Sequence, residues 1–329
     1  MKLILIDGDI IRYRCGFAGQ KMHYHWYPSK EATYDEESDS WNLLGDPLST
    51  HENAADAKAW EKTWYAANPD QEITRVPEVK LEPVANTLHS VKRVMAQIEA
   101  KYPGYHPAVY VSCPTEDNWR TQFYPEYKAN RKEQRKPYYA YDIDLYMRRK
   151  WDVIDAAHYE ADDLIAMQAY DNRLMGDEYV VVSIDKDLLQ IPGKHYNWVQ
   201  DEETVVDEMQ AMRLLAAQRI AGDATDNIKG VPGWGDKTAQ GWLEQCVAPD
   251  LETMIVEAFR DARDRQGQVI FAEPAQVAYH NSLTEALVTL PINGEHRDRL
   301  MEKVNLARET YEATKTASEH TSDTGGSAL

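Results

Sequence analysis

Cysteine is scarce: Cys15, Cys113 and Cys246 are the three in 329 residues, too few and too scattered for a disulfide framework or a cysteine zinc site. Reduced thiols are expected. Long hydrophobic runs are missing as well. Leu3 to Ile6 and Val180 to Val182 are typical of the apolar runs, against the roughly 20 residues needed to cross a bilayer, so a membrane span is excluded. The N-terminus reaches Asp7 before a signal-peptide core can form, which makes the cytoplasm the expected compartment. Positive charge is in deficit, with 36 Lys and Arg against 55 Asp and Glu and a formal net charge of −19. A uniformly acidic surface repels polyphosphate, so the average alone argues against a nucleic-acid partner.

The charge that is present is uneven. Between Arg120 and Lys150 stand nine basic residues (Arg120, Lys128, Arg131, Lys132, Arg135, Lys136, Arg148, Arg149 and Lys150) against Glu126, Glu133, Asp142 and Asp144, a local +5 that leaves −24 elsewhere. A basic island in an acidic chain is either a solvated charged helix or a local grip on a polyanion. The length exceeds one ordinary core and implies one large domain or two smaller ones.

Short hydrophobic runs that end in or near an acid or a thiol, at Lys2 to Asp7, Ala108 to Cys113 and Tyr179 to Asp185, read as buried parallel strands. Between the first two, Leu88, Val91, Val94, Met95 and Ile98 follow helical spacing over Val84 to Tyr102, with Pro103 and Gly104 as a stop. Further strands at Trp151 to Ala157 and His195 to Val199, with a helix over Ala161 to Arg173, extend an α/β pattern. Gly19 to Leu81 is less regular and reads as an insertion at the loop end of the sheet. His23, His25 and His51 within it suit a surface better than a zinc site, since nothing fixes a third ligand. From Glu208 the chain turns helical, with a glycine-rich turn and a helix over Thr238 to Cys246. The tail after Thr316 has little to bury and is expected to be disordered. The expected organisation is a core over 1–205 with an insertion at 19–81 and a basic region at 119–150, a helical subdomain over 206–315, and a tail over 316–329.

Ligands of an open parallel sheet bind beyond the carboxyl ends of its strands, and that is where the acids fall. IDGD supplies Asp7 and Asp9, VVVSIDKD supplies Asp185 and Asp187, YEADD supplies Glu160, Asp162 and Asp163, and GDATDN supplies Asp223 and Asp226. Any one acid at a strand end or helix start is more often a cap. Four clusters together demand neutralisation by protons or cations. An oxygen-only donor set favours Mg²⁺ or Mn²⁺, and two such ions about 4 Å apart support phosphoryl transfer. In NWRTQFYPEYKANRK, Lys128 and Arg131 share a face if helical, with Tyr127 beside them, suited to a phosphate and a stacked base. In GVPGWGDKTA, from Gly230 to Ala239, glycine turns leading into a helix can present N–H groups to a phosphate, with Lys237 adding charge; a plain helical connection is the alternative.

In this order EADD, SxDKDxxQ and GDxxDNIxGVxGxGxKTA resemble the 5′-nuclease family: flap endonucleases, the 5′-nuclease domains of bacterial DNA polymerases and phage 5′→3′ exonucleases. NWR, YKANRK and GWGDK look most like the short exonucleases of podovirus-type phages. The resemblance runs to about Ala239, excludes most of Gly19 to Leu81, and implies a PIN-like, mostly parallel sheet flanked by helices with a C-terminal helix-hairpin-helix subdomain. It implies a first metal on Asp7, Glu160, Asp162 and Asp163 and a second, looser group of Asp185, Asp187, Asp223 and Asp226. Lys128 and Arg131 match the pair at the base of a helical arch that contacts the scissile phosphate, and Tyr127 matches its stacking neighbour. Arg14 and Arg120 match arginines near the phosphates, with Lys132 among the DNA contacts. Gly230, Gly233, Gly235, Lys237 and Thr238 would grip duplex DNA, with a K⁺ ion. Cys113 stands where relatives carry an aspartate, seven residues before Arg120; either Glu116 or Asp117 reaches in instead or the first metal loses a ligand, with the extra Asp9 as a partial compensation.

The resulting expectation is a Mg²⁺-dependent 5′→3′ deoxyribonuclease acting on DNA with a free 5′ end, flap or nick, or on an RNA–DNA hybrid. Two rivals stand beside it. A haloacid-dehalogenase-type phosphatase would use Asp7 and Asp9 as nucleophile and acid/base, but Ile11 stands where its pattern wants Thr or Val. A catalytically silent junction-binding protein of the same fold is favoured only by Cys113.

Overall fold

The computed structural model describes residues 1–131, 135–245 and 250–323, so Lys132 and Cys246 lie outside the described residues. The chain forms two compact units, one of Met1–Ile10, Ala96–Arg135 and Trp151–Leu329, the other of Ile11–Met95 and Lys136–Lys150. The expected boundary at 205 is therefore not where the chain divides: the helical part over 206–315 clusters with the sheet.

The first unit is built on a six-stranded sheet in the order Glu202–Val206, Gly193–Asn197, Tyr179–Val182, Leu3–Asp7, His106–Val111 and Asp152–Asp155. Five strands run parallel, and Glu202–Val206 joins the edge antiparallel. Leu3–Asp7 sits at the centre, buried at every position, which is why its run is continuously apolar rather than alternating. Leu3, Leu5, Ala108, Tyr110 and Val181 pack on Ala161, Ile165 and Ala169 of helix Ala161–Met175. The strands end earlier than their hydrophobic runs suggest, at Val111, Asp155 and Val182. Beyond the ladder the chain curls to satisfy its own donors, so Asp185 caps the 3₁₀ turn Lys186–Gln190 rather than closing a strand.

Helix Glu208–Ala221 opens on a capping box, in which Asp207 accepts the Gln210 N–H (2.8 Å) and Gln210 accepts the Asp207 N–H (2.9 Å). A short hairpin, Gly222–Asp223 with Ile228–Lys229, leads to helix Asp236–Glu244, so the paired strands lie ahead of the 230–239 segment where the helix-hairpin-helix was expected. Two glycines make this hairpin possible. Gly222 has φ +69°, and a Cβ there would lie 2.3 Å from the Gly230 nitrogen; a Cβ on Gly230 would lie 2.3 Å from the Ile220 oxygen. Gly230 is thus a position where close backbone packing requires glycine. Helices Leu251–Arg260, Pro274–Val288 and Gly294–Asp323 complete the unit. The last runs seven residues past Thr316, where disorder was expected, as the continuation of a helix that has already nucleated.

The second unit corrects the reading of 19–81 as irregular. Gln20–Pro28 pairs antiparallel with Ser49–His51 and Ile73–Leu81 in a three-stranded sheet, Ala32–Asp35 and Ser40–Leu43 form a hairpin, and helix Ala54–Ala67 packs alongside. Buried Trp26 meets Trp60, which stacks on Trp64. His25 bonds Thr50 and Glu78, both at 2.9 Å, and His51 bonds Ser49 at 2.8 Å, so these rings are engaged in the sheet rather than converging on a metal. Among the described residues no helix is long and apolar enough to cross a membrane.

Gly230→Ala is expected to destabilise the fold by about 3 kcal/mol, since the added methyl meets backbone that no rotamer change can clear. Gly235→Ala, with open space around it, should stay within about 1 kcal/mol. Thermal melts of the two variants check the contrast.

Candidate active site

Asp7 ends the central strand only 3% exposed. Its carboxylate accepts the Ile10 N–H at 3.2 Å and the Ser183 hydroxyl at 2.9 Å. Burial and then the charge of Asp9 nevertheless push its carboxyl up to about 7. Asp9 accepts the Ser112 N–H (3.1 Å), and the Ser112 hydroxyl accepts the Ala161 N–H (2.8 Å), tying the turn after the first strand to the start of the acid-bearing helix. Asp162, on the first turn of that helix, is raised well above the usual carboxylate range by burial and then by Asp7, Asp185 and Glu160. Asp187 accepts from Gln218 and is pushed up to about 7 by burial, then by Asp185 and Asp223. Asp223 accepts the N–H groups of Thr225 (2.7 Å) and Asp226 (3.4 Å). Acids from four distant stretches of sequence therefore feel one another's charge at the carboxyl edge of one sheet.

Cations face this edge. Lys128 pairs with Glu160 and lies 3.5 Å from Asp226, while Arg131 pairs with Asp226 and donates to the Thr225 carbonyl (3.1 Å). Burial opposes the charge on Glu160, but Lys128 and Arg120 beside it hold its carboxyl down at about 2. Burial likewise opposes the Lys128 charge, and Glu160 and Asp226 overcome it. The two cations do not share an α-helical face as expected. Lys128 has φ +54° and Ala129–Arg131 is a 3₁₀ turn, a conformation held by the Lys128 N–H bond to the Asp226 carbonyl (3.0 Å).

Three expected contacts are corrected by burial. Arg120 is 1% exposed and turned inward, bonding Asp163 through two 2.8 Å hydrogen bonds, so it does not face a phosphate. Tyr127 is 3% exposed; its ring lies against the Arg120 guanidinium and its hydroxyl donates to Glu160 (2.6 Å), which leaves no face for a base. Asp163 is fully buried against Arg120 and is not presented to a metal. Arg14 is exposed on helix Gly8–Ala18 in the second unit. Gly233, Gly235, Lys237 and Thr238 are exposed around the start of helix Asp236–Glu244, whose Asp236 pairs with Lys186 at 2.6 Å, beside the acids. Cys113 is half buried, its thiol pushed up to about 11 by burial and then by Glu160 and Asp117; Glu116 and Asp117 themselves lie exposed on a 3₁₀ turn.

Among the described residues no three His, Cys, Asp or Glu side chains stand in a ready-made metal cage. Repulsion spaces the carboxylates, and Lys128, Arg131 and Arg120 hold several of them. The donor chemistry still fits a hard divalent cation: oxygen ligands only, several buried, with pKa values raised by each other's charge. Sequence reading missed Ser112, Ser183, Trp119 and Gln218, which orient these acids. Ser183 was in view as the serine of SxDKDxxQ; Gln218 has no local signal, because only the fold brings its helix to Asp187.

The family profile described as the 5′-3′ exonuclease, N-terminal resolvase-like domain, matches residues 56–217. The exodeoxyribonuclease of Enterobacteria phage T3 is 34% identical over 131 residues, covering 38% of this chain and 43% of that protein. The exonuclease of Escherichia phage T7 is 32% identical over 146 residues, covering 43% and 48%. Over residues 56–217 the chain is similar to the 5′-nuclease family. It spans less than half the length of these two relatives, and 18% of the DNA polymerase I of Rhizobium leguminosarum, to which it is 27% identical over 187 residues. The fold is similar to that of T5 5′-exonuclease, solved with divalent metal ions (zinc), at 16% identity and a TM-score of 0.52, covering 93% of this chain and all of that one. These similarities give the haloacid-dehalogenase-type reading no support.

With folded-state pKa values near 7 for Asp7 and Asp187, against about 4 when unfolded, the folded chain binds more protons between these limits. Stability from these groups is therefore highest at the acid end and falls as pH rises from about 4 to about 7. In chelator, Asp187→Asn removes one such group while keeping an acceptor for Gln218. Its melting temperature minus that of the wild type should grow between pH 5 and pH 7.5; a pH-independent difference would contradict the assignment.

Proposed function

We propose that this chain is a structure-dependent 5′→3′ exonuclease and flap endonuclease that hydrolyses DNA phosphodiester bonds with Mg²⁺ or Mn²⁺, two ions being held at the acidic edge. The observation that carries this reading is the convergence of Asp7, Asp162, Asp185, Asp187, Asp223 and Asp226 beside Lys128 and Arg131. The phage T3 exodeoxyribonuclease and the phage T7 exonuclease support the reaction class by name.

Asp7, Asp162 and Asp185 would hold one cation with Glu160, and Asp187, Asp223 and Asp226 the other. Bound divalent cations supply Lewis acidity and a water acidic enough to attack near neutral pH. The chain's own contribution is positional. Lys128 and Arg131, charged and lodged against Glu160 and Asp226, would exchange those partners for the oxygens of the scissile phosphate and hold it at the acidic edge. Gly233, Gly235, Lys237 and Thr238, exposed at a helix start, would hold duplex phosphates, with K⁺ as a further ligand of that turn. Contacts of this kind read strand polarity and shape rather than base sequence.

Duplex DNA labelled at either end, incubated with Mg²⁺ or EDTA, tests the reading: loss of the 5′ label first, and only with Mg²⁺, is expected. Release from the 3′ end would overturn it. Binding without any turnover would instead favour the silent junction-binding protein, for which Cys113 in the acidic edge is the one observation. Asp185→Asn should depress cleavage by about 10²-fold or more while DNA affinity changes little. Lys128→Ala should slow turnover by about 10²-fold. Despite the net charge of −19, raising salt should weaken DNA binding.

A further inference from the structure

We infer that Arg120 is a positioning residue whose buried guanidinium withdraws Asp163 from the metal-binding carboxylates and fixes the first turn of the acid-bearing helix against the end of helix Pro274–Val288. The inference deepens the nuclease reading and rests on it.

A guanidinium has five N–H donors in a planar fork. Arg120 uses them on Asp163 Oδ1 and Oδ2 (both 2.8 Å), Glu160 Oε2 (3.3 Å), and the carbonyls of Leu287 (2.9 Å) and Thr289 (3.1 Å). Its faces are covered as well, with its centre 4.6 Å from the Trp119 ring and 5.7 Å from the Tyr127 ring. Nothing of it is left for an external phosphate.

Asp163 is equally spent. Beyond the two bonds from Arg120 it accepts the Trp119 indole N–H and the Glu160 backbone N–H, each at 3.1 Å. Four bonds match the roughly four lone-pair sites of a carboxylate. Asp162, next in the chain, takes no hydrogen bond or ion pair among the described residues. Two adjacent acids thus divide the work, one facing the acidic edge and the other locked into the core. The lock also reaches residues the family profile does not cover: it stops at residue 217, yet Leu287 and Thr289 supply two of the five acceptors. The end of a C-terminal helix helps set the pitch of the helix that carries Glu160 and Asp162.

The test uses the full chain with Arg120→Lys, Asp163→Asn, their combination, and Asp162→Asn, with Mn²⁺ affinity followed by calorimetry. A positioning role predicts a loss of about tenfold for Arg120→Lys and for Asp163→Asn, with the combination no worse than either alone. Asp162→Asn should lose at least about ten times more than either, as a ligand does. On DNA, Arg120→Lys should lower kcat with KM unchanged, and the salt dependence of binding should keep its slope. Asp163→Asn losing Mn²⁺ as fully as Asp162→Asn would overturn the inference. So would a salt slope smaller by about one in Arg120→Lys, the mark of a lost phosphate contact. If Arg120→Lys does not fold, the Mn²⁺ titration of Asp163→Asn against Asp162→Asn decides alone. A wild-type chain that neither binds Mn²⁺ nor cuts DNA would end the nuclease reading instead; melting temperatures of the same variants then decide the clamp, non-additive changes keeping it and additive ones ending it.

Discussion

Carboxylates from four parts of the chain are crowded at the end of one parallel sheet, half buried, where water cannot screen them from one another. Burial, and after it the charge of each neighbouring carboxylate, raises the work of ionising these groups, which lifts Asp7, Asp162 and Asp187 out of the ordinary carboxylate range. The rest of the first unit is arranged around that repulsion. A central strand buried on both faces delivers Asp7, a capping box begins the helix carrying Glu160, Asp162 and Asp163, and an Asx-capped 3₁₀ turn carries Asp185 and Asp187.

Three cations share the compensation, and burial divides them by task. Arg120 lies in the core and is fully engaged, so its charge serves the fold. Lys128 and Arg131 stand nearer the surface, each paired with a carboxylate. That split leaves a local positive charge near the surface of a protein with net charge −19. The favourable charge is concentrated in one turn, and the strained backbone of Lys128 keeps it aimed at the acids.

The glycine motif serves two purposes that a reading of its letters runs together. Gly222 and Gly230 let two stretches of backbone pass at a distance no Cβ permits, which sets Asp223 and Asp226 beside the sheet. Gly233 and Gly235 have open space around them and lead into an exposed helix start. The family profile ends before this hairpin, and the insertion at 19–81 forms much of the second unit, with its own antiparallel sheet and tryptophan stack.

What the amino-acid order determined by itself is whatever depends on neighbours in the chain: the central strands, the helices over 84–101 and 161–175, the four acidic clusters, and the glycines before a helix. Apolar runs, capping residues and turn glycines act over a few residues, so they are legible without a fold. The insertion was not legible because its strands bury only one face and pair across long gaps, which breaks up the apolar pattern. Only the tertiary structure decided which acids face outward and which cations serve the core. Asp162 and Asp163 are chemically alike and adjacent, yet one step along the helix, about 100° of rotation, and one buried arginine give them different environments. Arg120 and Lys128 lie in the same basic stretch, and their different fates follow from what packs around each, Leu287 and Thr289 from far along the chain in one case and Asp226 in the other.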